Sequence, residues 1–234
     1  MRAMNLLLLH PHEWPEGEHR ALLRLTDHRA DHIRTVLKVV AGDSVRVGVV
    51  NGLTGLARVE QLSAQEVVLD ATLDTPPPPP LPCTLLLALP RPKVLRRVLQ
   101  SATSLGIKQI HLLNSYRVEK SYWQTPFLQP DVIHQQLLLG LEQARDTLLP
   151  QVHLHSRFKP FVEDELPALA AGKLGLIAHP LPDSQPCPDH VTQATLLAVG
   201  PEGGFIPYEV DKLRECGFQA VTLGPRILKV ETAI

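Results

Sequence analysis

Apolar positions along this chain recur with two different periods, and the change of period divides it. From Ser44 to Val49 apolar and polar residues alternate, as in a strand with one buried face. Asn51-Gly52 and Thr54-Gly55 punctuate the pattern, and Leu56–Val59 and Glu66–Leu69 supply further strand-like runs. Ahead of them Asp31–Lys38 reads as a short helix, with Gly42-Asp43 turning into the first strand. Residues 1–75 are thus expected to form a small β-rich domain.

Pro76–Pro80 is an unbroken proline run, which neither a helix nor a central strand accepts, so it reads as a semi-rigid spacer. Beyond it strand and helix patterns alternate. Thr84–Leu89 is an apolar run suited to a buried parallel strand. Val94, Leu95, Val98, Leu99, Ala102 and Leu105 fall at helical spacing, and Gly106 stands where a C-terminal cap belongs. Gln109–Leu113, Leu174–Ala178, Thr195–Val199 and Ala220–Leu223 read as strands. Helices are expected over 131–147 and over Tyr208–Glu215, the second closed by Gly217. His153-Leu154-His155 reads as a strand with one wet face. The alternation predicts an α/β domain over 76–234 with a mainly parallel sheet, whose ligands bind beyond the carboxyl ends of the strands.

Composition narrows the function without naming it. A hydrophobic content of 44% supports a packed core. Cys83, Cys187 and Cys216 are too widely spaced for a zinc ribbon or a disulfide framework, and a reducing cytoplasm is the simple inference. Leu6–Leu9 is too short for a signal-peptide core or a membrane span, and Met1-Arg2 makes a poor charged leader. A net charge of −1 means that any nucleic-acid contact must come from local basic patches. One patch is Arg20, Arg24, Arg29, Arg34, Lys38, Arg46 and Arg58, which outnumber the acids around them along the chain. Another is Arg91, Lys93, Arg96 and Arg97, with no acid among them in sequence. Phosphate neutralisation and a solvated helix face are equally good readings of either. Tyr116, Arg117, Lys120, Tyr122 and Trp123 place aromatics beside cations, as single-strand stacking requires, in a chain with only 4% aromatics. His28 and His32 have metal-binding spacing but no third ligand nearby, so no metal site is expected.

The densest signal lies late in the chain. One apolar run ends in Gly200-Pro201-Glu202-Gly203-Gly204, and a second ends in Leu223-Gly224-Pro225-Arg226-Ile227-Leu228. Each alone is an ordinary loop at the end of a buried strand. Together they can set bare backbone groups side by side around a flat, hydrogen-bonding ligand such as a nucleoside. The pair, followed by Glu231-Thr232-Ala233, resembles the ribosomal RNA small-subunit methyltransferase E family of the SPOUT superfamily, with its GPEGG-type loop and LGxRILRxETA-type segment. The HxxxVLK pattern ending at Lys38 resembles that family's N-terminal PUA-like β-barrel, and Glu142-Gln143-Ala144-Arg145 is similar to its EQxxR helix.

That resemblance implies a trefoil-knot methyltransferase domain preceded by a PUA-like β-barrel RNA-binding domain. It implies a homodimer that methylates N3 of a uridine in 16S rRNA, in the assembled small subunit, from S-adenosyl-L-methionine. The donor would be held by Gly200, Pro201, Glu202, Gly203, Gly204, Leu223, Gly224, Ile227 and Leu228, with Ala178 and His179 contributing from the preceding strand end. Arg226 would face RNA phosphate or the uracil. Glu202 is either a ligand contact or a cap on backbone N–H groups of its own turn, and Glu231 with Thr232 would open a final helix. Arg20, Arg34, Lys38, Arg91, Lys93, Arg117 and Arg145 are the expected RNA contacts. Lys38 and Lys229 stand where the family has arginine, Ser101 and Ser104 where it has Lys and Glu, and Val230 where it has a small polar residue. The family pattern runs on into a C-terminal helix, whereas this sequence ends at Ile234. Two other readings stay open. One is a non-catalytic RNA-binding relative. The other is an α/β enzyme with a nucleotide cofactor, against which no GxGxxG or GxxxxGK[ST] motif appears.

Overall fold

The computed structural model describes residues 5–234, so Met1 and Arg2 lie outside the described residues. The chain divides into two compact units: residues up to Pro79 together with Leu138–Leu149, and Pro80–Leu137 together with Pro150–Ile234. The change-over falls inside the proline run.

The first unit is built on strands β1 (Leu7–Leu9), β2 (Arg20–Leu25), β3 (Ser44–Val49), β4 (Thr54–Leu62) and β5 (Val67–Thr75), in the order β1-β3-β4-β5-β2. Only β1 and β3 pair in parallel. Period-two alternation sends Val45, Val47, Val49, Ala57, Val59, Leu69 and Leu73 into one core with Leu23, Leu25 and Ile33. Gly55 sits at a register shift in β4, where an added Cβ would lie 1.8 Å from the Thr72 carbonyl oxygen, so no larger residue fits this bulge. Thr54-Gly55, expected as a turn, thus lies within a strand. The expected helix over Asp31–Lys38 is helix α1 (His28–His32) continued by a π-helical turn, Ile33–Leu37. It ends at Lys38 with φ 54°, a left-handed position that terminates the helix.

Leu138–Leu149 belongs with this unit although it lies within the stretch read as the second domain. Leu138, Leu141 and Leu149 pack with Leu6, Leu8 and Val50 on the second face of β1. Asn51 donates its N–H to the Thr147 carbonyl (2.8 Å) and accepts from Leu149 N at its side-chain oxygen (2.9 Å). Arg29, counted in sequence as a surface cation, is 8% exposed. It donates to Glu13 (2.9 Å), to Asp27 and to the Leu8 carbonyl (3.0 Å). It is a structural ion cluster, not a patch for phosphate.

The second unit carries β6 (Cys83–Ala88), β7 (Gln109–Leu113), β8 (Gln151–His155), β9 (Leu174–Ala178), β10 (Gln185–Pro186), β11 (Thr195–Val199) and β12 (Phe218–Thr222). All are parallel, in the order β10-β12-β9-β11-β6-β7-β8. The chain steps outward from β6 to β8, crosses to β9, and returns through β11 beside β6. The order therefore reverses between β6 and β11, and crevices for ligands form at such reversals, beyond the carboxyl ends. Helix α2 (Pro92–Ser104) buries Leu95, Val98, Leu99 and Ala102 and is followed by Gly106 at φ 87°. Helix α3 (Pro130–Ala144) stops at Arg145, φ 57°, short of the expected 147. Short helices α4 (Phe158–Pro160) and α5 (Leu166–Ala170) flank a π-helical turn, and α6 (Pro207–Glu215) precedes β12.

Within His153-Leu154-His155 on β8, Leu154 is 47% exposed and gives the one wet face, while the histidines turn to the other. His111 on β7 stacks on His153 (4.6 Å) and His155 (5.2 Å), and its Nδ1 lies 3.0 Å from His155 Nε2. Phe161 closes over His155 at 4.2 Å. Burial, then the neighbouring histidines, hold the pKa of His111 down to about 4.

Candidate functional site

Seven loops leave the carboxyl ends of the second sheet, and those after β9, β10 and β12 build a crevice. Ala178, His179 and Pro180 follow β9; Leu223, Arg226, Ile227 and Leu228 follow β12; Leu197 of β11 and Cys187 close the wall. The cavity is about 340 Å³ and its lining is mainly apolar. Leu223 is 61% exposed and Ile227 93%, so large apolar side chains stand uncovered at the rim. Such a cluster marks a surface that something else covers. Gly224, at φ 115°, supplies the left-handed turn that sends the chain back along this rim.

The Gly200–Gly204 turn supports the crevice from behind. Gly204 N donates to the Pro201 carbonyl (2.7 Å), and Gly204 has φ 72°. A Cβ there would lie 2.9 Å from His179 Cε1, so the bare glycine lets the imidazole seat against the loop. Burial, then the Arg117 guanidinium, push the His179 pKa down, which keeps its ring neutral at neutral pH. Arg117 reaches over and donates to the Gly203 carbonyl.

The structure therefore brings Ala178, His179, Leu223, Arg226, Ile227 and Leu228 to one cavity. It places Gly200, Pro201, Glu202 and Gly203 outside that lining, and Gly204 behind His179. Glu202 caps a backbone N–H of another element, not of its own turn: its Oε1 accepts from Arg91 N (3.1 Å), the residue that opens α2. Glu231 opens only a 3-10 turn, Val230–Thr232, that packs against α2, where its carboxylate lies 3.7 Å from Arg97. The cluster around Arg91 is thus free of acids only along the chain; folding delivers Glu202 and Glu231 to it. Lys93 is exposed on α2, and Arg96 lies over the Phe127 ring at 5.5 Å.

In the first unit Arg20 is paired with Asp70 (Nε to Oδ1 2.8 Å), and Arg34 reaches Asp31 and the Ser63 carbonyl. Arg20, Arg46, Arg58 and Arg145 nonetheless line one cavity of about 590 Å³ with Asp70 and Asp74. Lys38 is not among its walls. Among the described residues no group of three or more His, Cys, Asp or Glu is placed to hold a metal ion, and no helix is long and apolar enough to cross a membrane. Pro180, Cys187 and Leu197 were not singled out in sequence, because nothing local marks the residues that long-range pairing sets beside a loop.

Residues 77–234 match a family model described as an RNA methyltransferase domain. The chain is 32% identical to the ribosomal RNA small subunit methyltransferase E of Treponema pallidum, over 98% of this chain and 87% of that protein. It is 28% identical to the protein of the same name from Synechocystis, over 94% and 72%. Among solved structures it superposes with a TM-score of 0.73 on a ribosomal RNA small subunit methyltransferase E from Neisseria gonorrhoeae bound to S-adenosyl methionine, at 23% identity over 97% of this chain and 93% of that one. A putative methyltransferase from Legionella pneumophila in complex with S-adenosyl methionine gives 0.70, at 22% identity over 100% and 94%. These two share the fold; the family model and the Treponema relative go further, and on them the chain belongs to the ribosomal RNA small subunit methyltransferase E family.

Proposed function

We propose that this protein methylates N3 of a uridine in 16S rRNA, using S-adenosyl-L-methionine and acting on the assembled small subunit in the cytoplasm as a homodimer. The observation that carries the reading is the crevice at the ends of β9 and β12, closed by Leu197 of β11 and Cys187, in a chain of this family. Its residues fit the donor chemically. Leu223, Ile227 and Leu228 offer apolar walls for the adenosyl group, and the glycine turn at Gly224 opens backbone for hydrogen bonds. Among the described residues Arg226 is the one Lys or Arg side chain in the lining, and the imidazole of His179 is neutral, so it does not repel a sulfonium.

When bound, the donor supplies an electrophilic methyl group. The protein's part is positional and electrostatic. Arg226, exposed on the crevice wall, is the cation we assign to the negative charge that spreads over the uracil ring as N3 loses its proton. Glu202 has a positioning role, tying the Gly200–Gly204 turn to the start of α2. Gly204 and Arg117 hold His179 and the turn in register. The basic cavity of Arg20, Arg46, Arg58 and Arg145 is proposed to grip RNA phosphates, with residues 5–79 as a PUA-like module. The segment after β12, anchored by buried Val230, is proposed to be the tucked end of a trefoil knot.

The test is transfer of labelled methyl groups to purified small subunits lacking the modification, with the product base mapped. A methylated uridine N3 supports the reading. Tight donor binding with no transfer to any RNA would replace it with a non-catalytic relative, and absence of calorimetric donor binding would remove its basis.

A further inference from the structure

A second cavity, of about 510 Å³, opens beyond the ends of β7 and β8 and is unused by the chemistry above. Its walls come from the loop after β7, the 3-10 turn Lys120–Gln124, the loop after β8 and the start of α6. Four aromatic side chains line it: Tyr116, Trp123, Phe158 and Tyr208. Tyr116 is 80% exposed and Tyr208 44%, so neither ring serves the core.

The frame is held by buried polar bonds. Glu209, 2% exposed, accepts from Tyr116 N (2.7 Å) and from Ile206 N (3.0 Å), which pins the β7 loop to the start of α6. Trp123 Nε1 donates to Asn114 Oδ1 (2.9 Å) and so fixes the indole on the wall. Two lysines, Lys120 and Lys159, stand at the same cavity. Ser115 lines it as well, and its hydroxyl is buried without a hydrogen-bond partner. Buried polar groups are nearly always satisfied, so this hydroxyl has its hydrogen bond left to give to whatever enters the cavity, water or ligand.

Rings for stacking, cations for phosphate and a spare hydroxyl for a base edge are what an unstacked nucleotide requires. The cavity also adjoins the donor crevice through a short chain of contacts. Arg117, next to Tyr116, donates to the Gly203 carbonyl, and Gly204 backs His179 in the crevice wall. We propose that this cavity holds one splayed base of single-stranded RNA, a neighbour in sequence of the nucleotide offered to the crevice. This rests on the RNA methyltransferase reading above and adds to it a second, flanking nucleotide subsite.

The experiment uses the full chain and fluorescein-labelled oligouridylate, with anisotropy for RNA affinity and calorimetry for S-adenosylmethionine. Because Tyr116 is exposed, Tyr116→Ala keeps the fold. It is expected to weaken RNA binding about tenfold, the scale of one base–aromatic stack, with donor affinity unchanged. Lys120→Ala is expected to reduce the salt slope of RNA binding by about 0.7, one phosphate contact on a single strand. An oligomer carrying 4-thiouridine is expected to crosslink to the peptides containing Tyr116 or Trp123. Wild-type RNA affinity in both variants, or crosslinks confined to other peptides, overturns the subsite while leaving donor binding and methyl transfer intact. Loss of donor binding and methyl transfer in the unaltered protein would instead sink the underlying reading.

Discussion

A buried histidine in one compact unit and a half-buried carboxyl in the other should give this protein opposed pH dependences over overlapping ranges. His111 is 8% exposed and holds a folded pKa of about 4 against an ordinary value of 6.5. Between those values the unfolded chain carries a proton that the folded one refuses, so stability rises with pH. Linkage puts the loss at about 2 kcal/mol at about pH 5 relative to about pH 7.5. The titratable neighbours of this ring are His153, His155 and Lys173, with Glu165 beyond His155 at 3.5 Å. Glu142 behaves in the opposite sense. Burial lifts its carboxyl from 4.5 to about 7, although Arg29 pulls it back. Here the folded state keeps a proton that the unfolded one has lost, so stability falls as pH rises from 4.5 to about 7. Its partial exposure reduces the effect to about 1 kcal/mol. The assay is urea unfolding at the two pH values. The chain has two tryptophans, Trp14 in the first unit and Trp123 in the second, so Trp14→Phe and Trp123→Phe backgrounds report the units separately. His111→Asn should remove the acid-side loss from the Trp123 signal, and Glu142→Gln should stabilise the Trp14 signal at the higher pH only. The lost ring stacking shifts His111→Asn equally at both pH values, so only the difference counts. If the pH response of the Trp123 signal is the same in His111→Asn and wild type, the buried-histidine argument is refuted; an NMR titration of His111 centred near its ordinary value would refute it independently.

Other substitutions separate structural from functional cations. Arg29→Ala leaves Glu13, Asp27 and the Leu8 carbonyl without their shared donor and should destabilise the fold by about 3–5 kcal/mol in chemical denaturation. Arg20→Ala removes an exposed pair and should leave the chemical-denaturation midpoint nearly unchanged. Gly204→Ala demands a left-handed alanine and drives a methyl group into His179. It should weaken S-adenosylmethionine binding about tenfold or more by calorimetry, while the melting temperature falls only slightly. Arg226→Ala, at an exposed position, should leave stability unchanged and lower the rate of methyl transfer about a hundredfold, the loss of one charge-stabilising group, in a single-turnover assay.

Local pattern was enough for the strands that bury both faces. Gln109–Leu113, Leu174–Ala178 and Thr195–Val199 are apolar runs with polar or glycine ends, and the folded strands have those bounds. The alternating Ser44–Val49 strand and the glycine turns after β11 and β12 were legible for the same reason: period and turn chemistry are properties of adjacent residues. Strand β2 escaped, because Arg20 and Arg24 interrupt its apolar positions and their counter-ions, Asp70 and Glu66, stand on β5 and at its entrance. The sequence alone suggested an acid-free basic cluster on α2, a ligand contact or a cap on its own turn for Glu202, and one wet face on the His153–His155 strand without saying which. Tertiary structure brought Glu202 and Glu231 to α2, spent the Glu202 carboxylate on Arg91, and turned the histidines onto His111. Charge pairing, burial and cavity walls depend on which distant segments the sheet order sets side by side. Periodicity tells a strand which face to bury, but only the pairing of strands decides what that face meets.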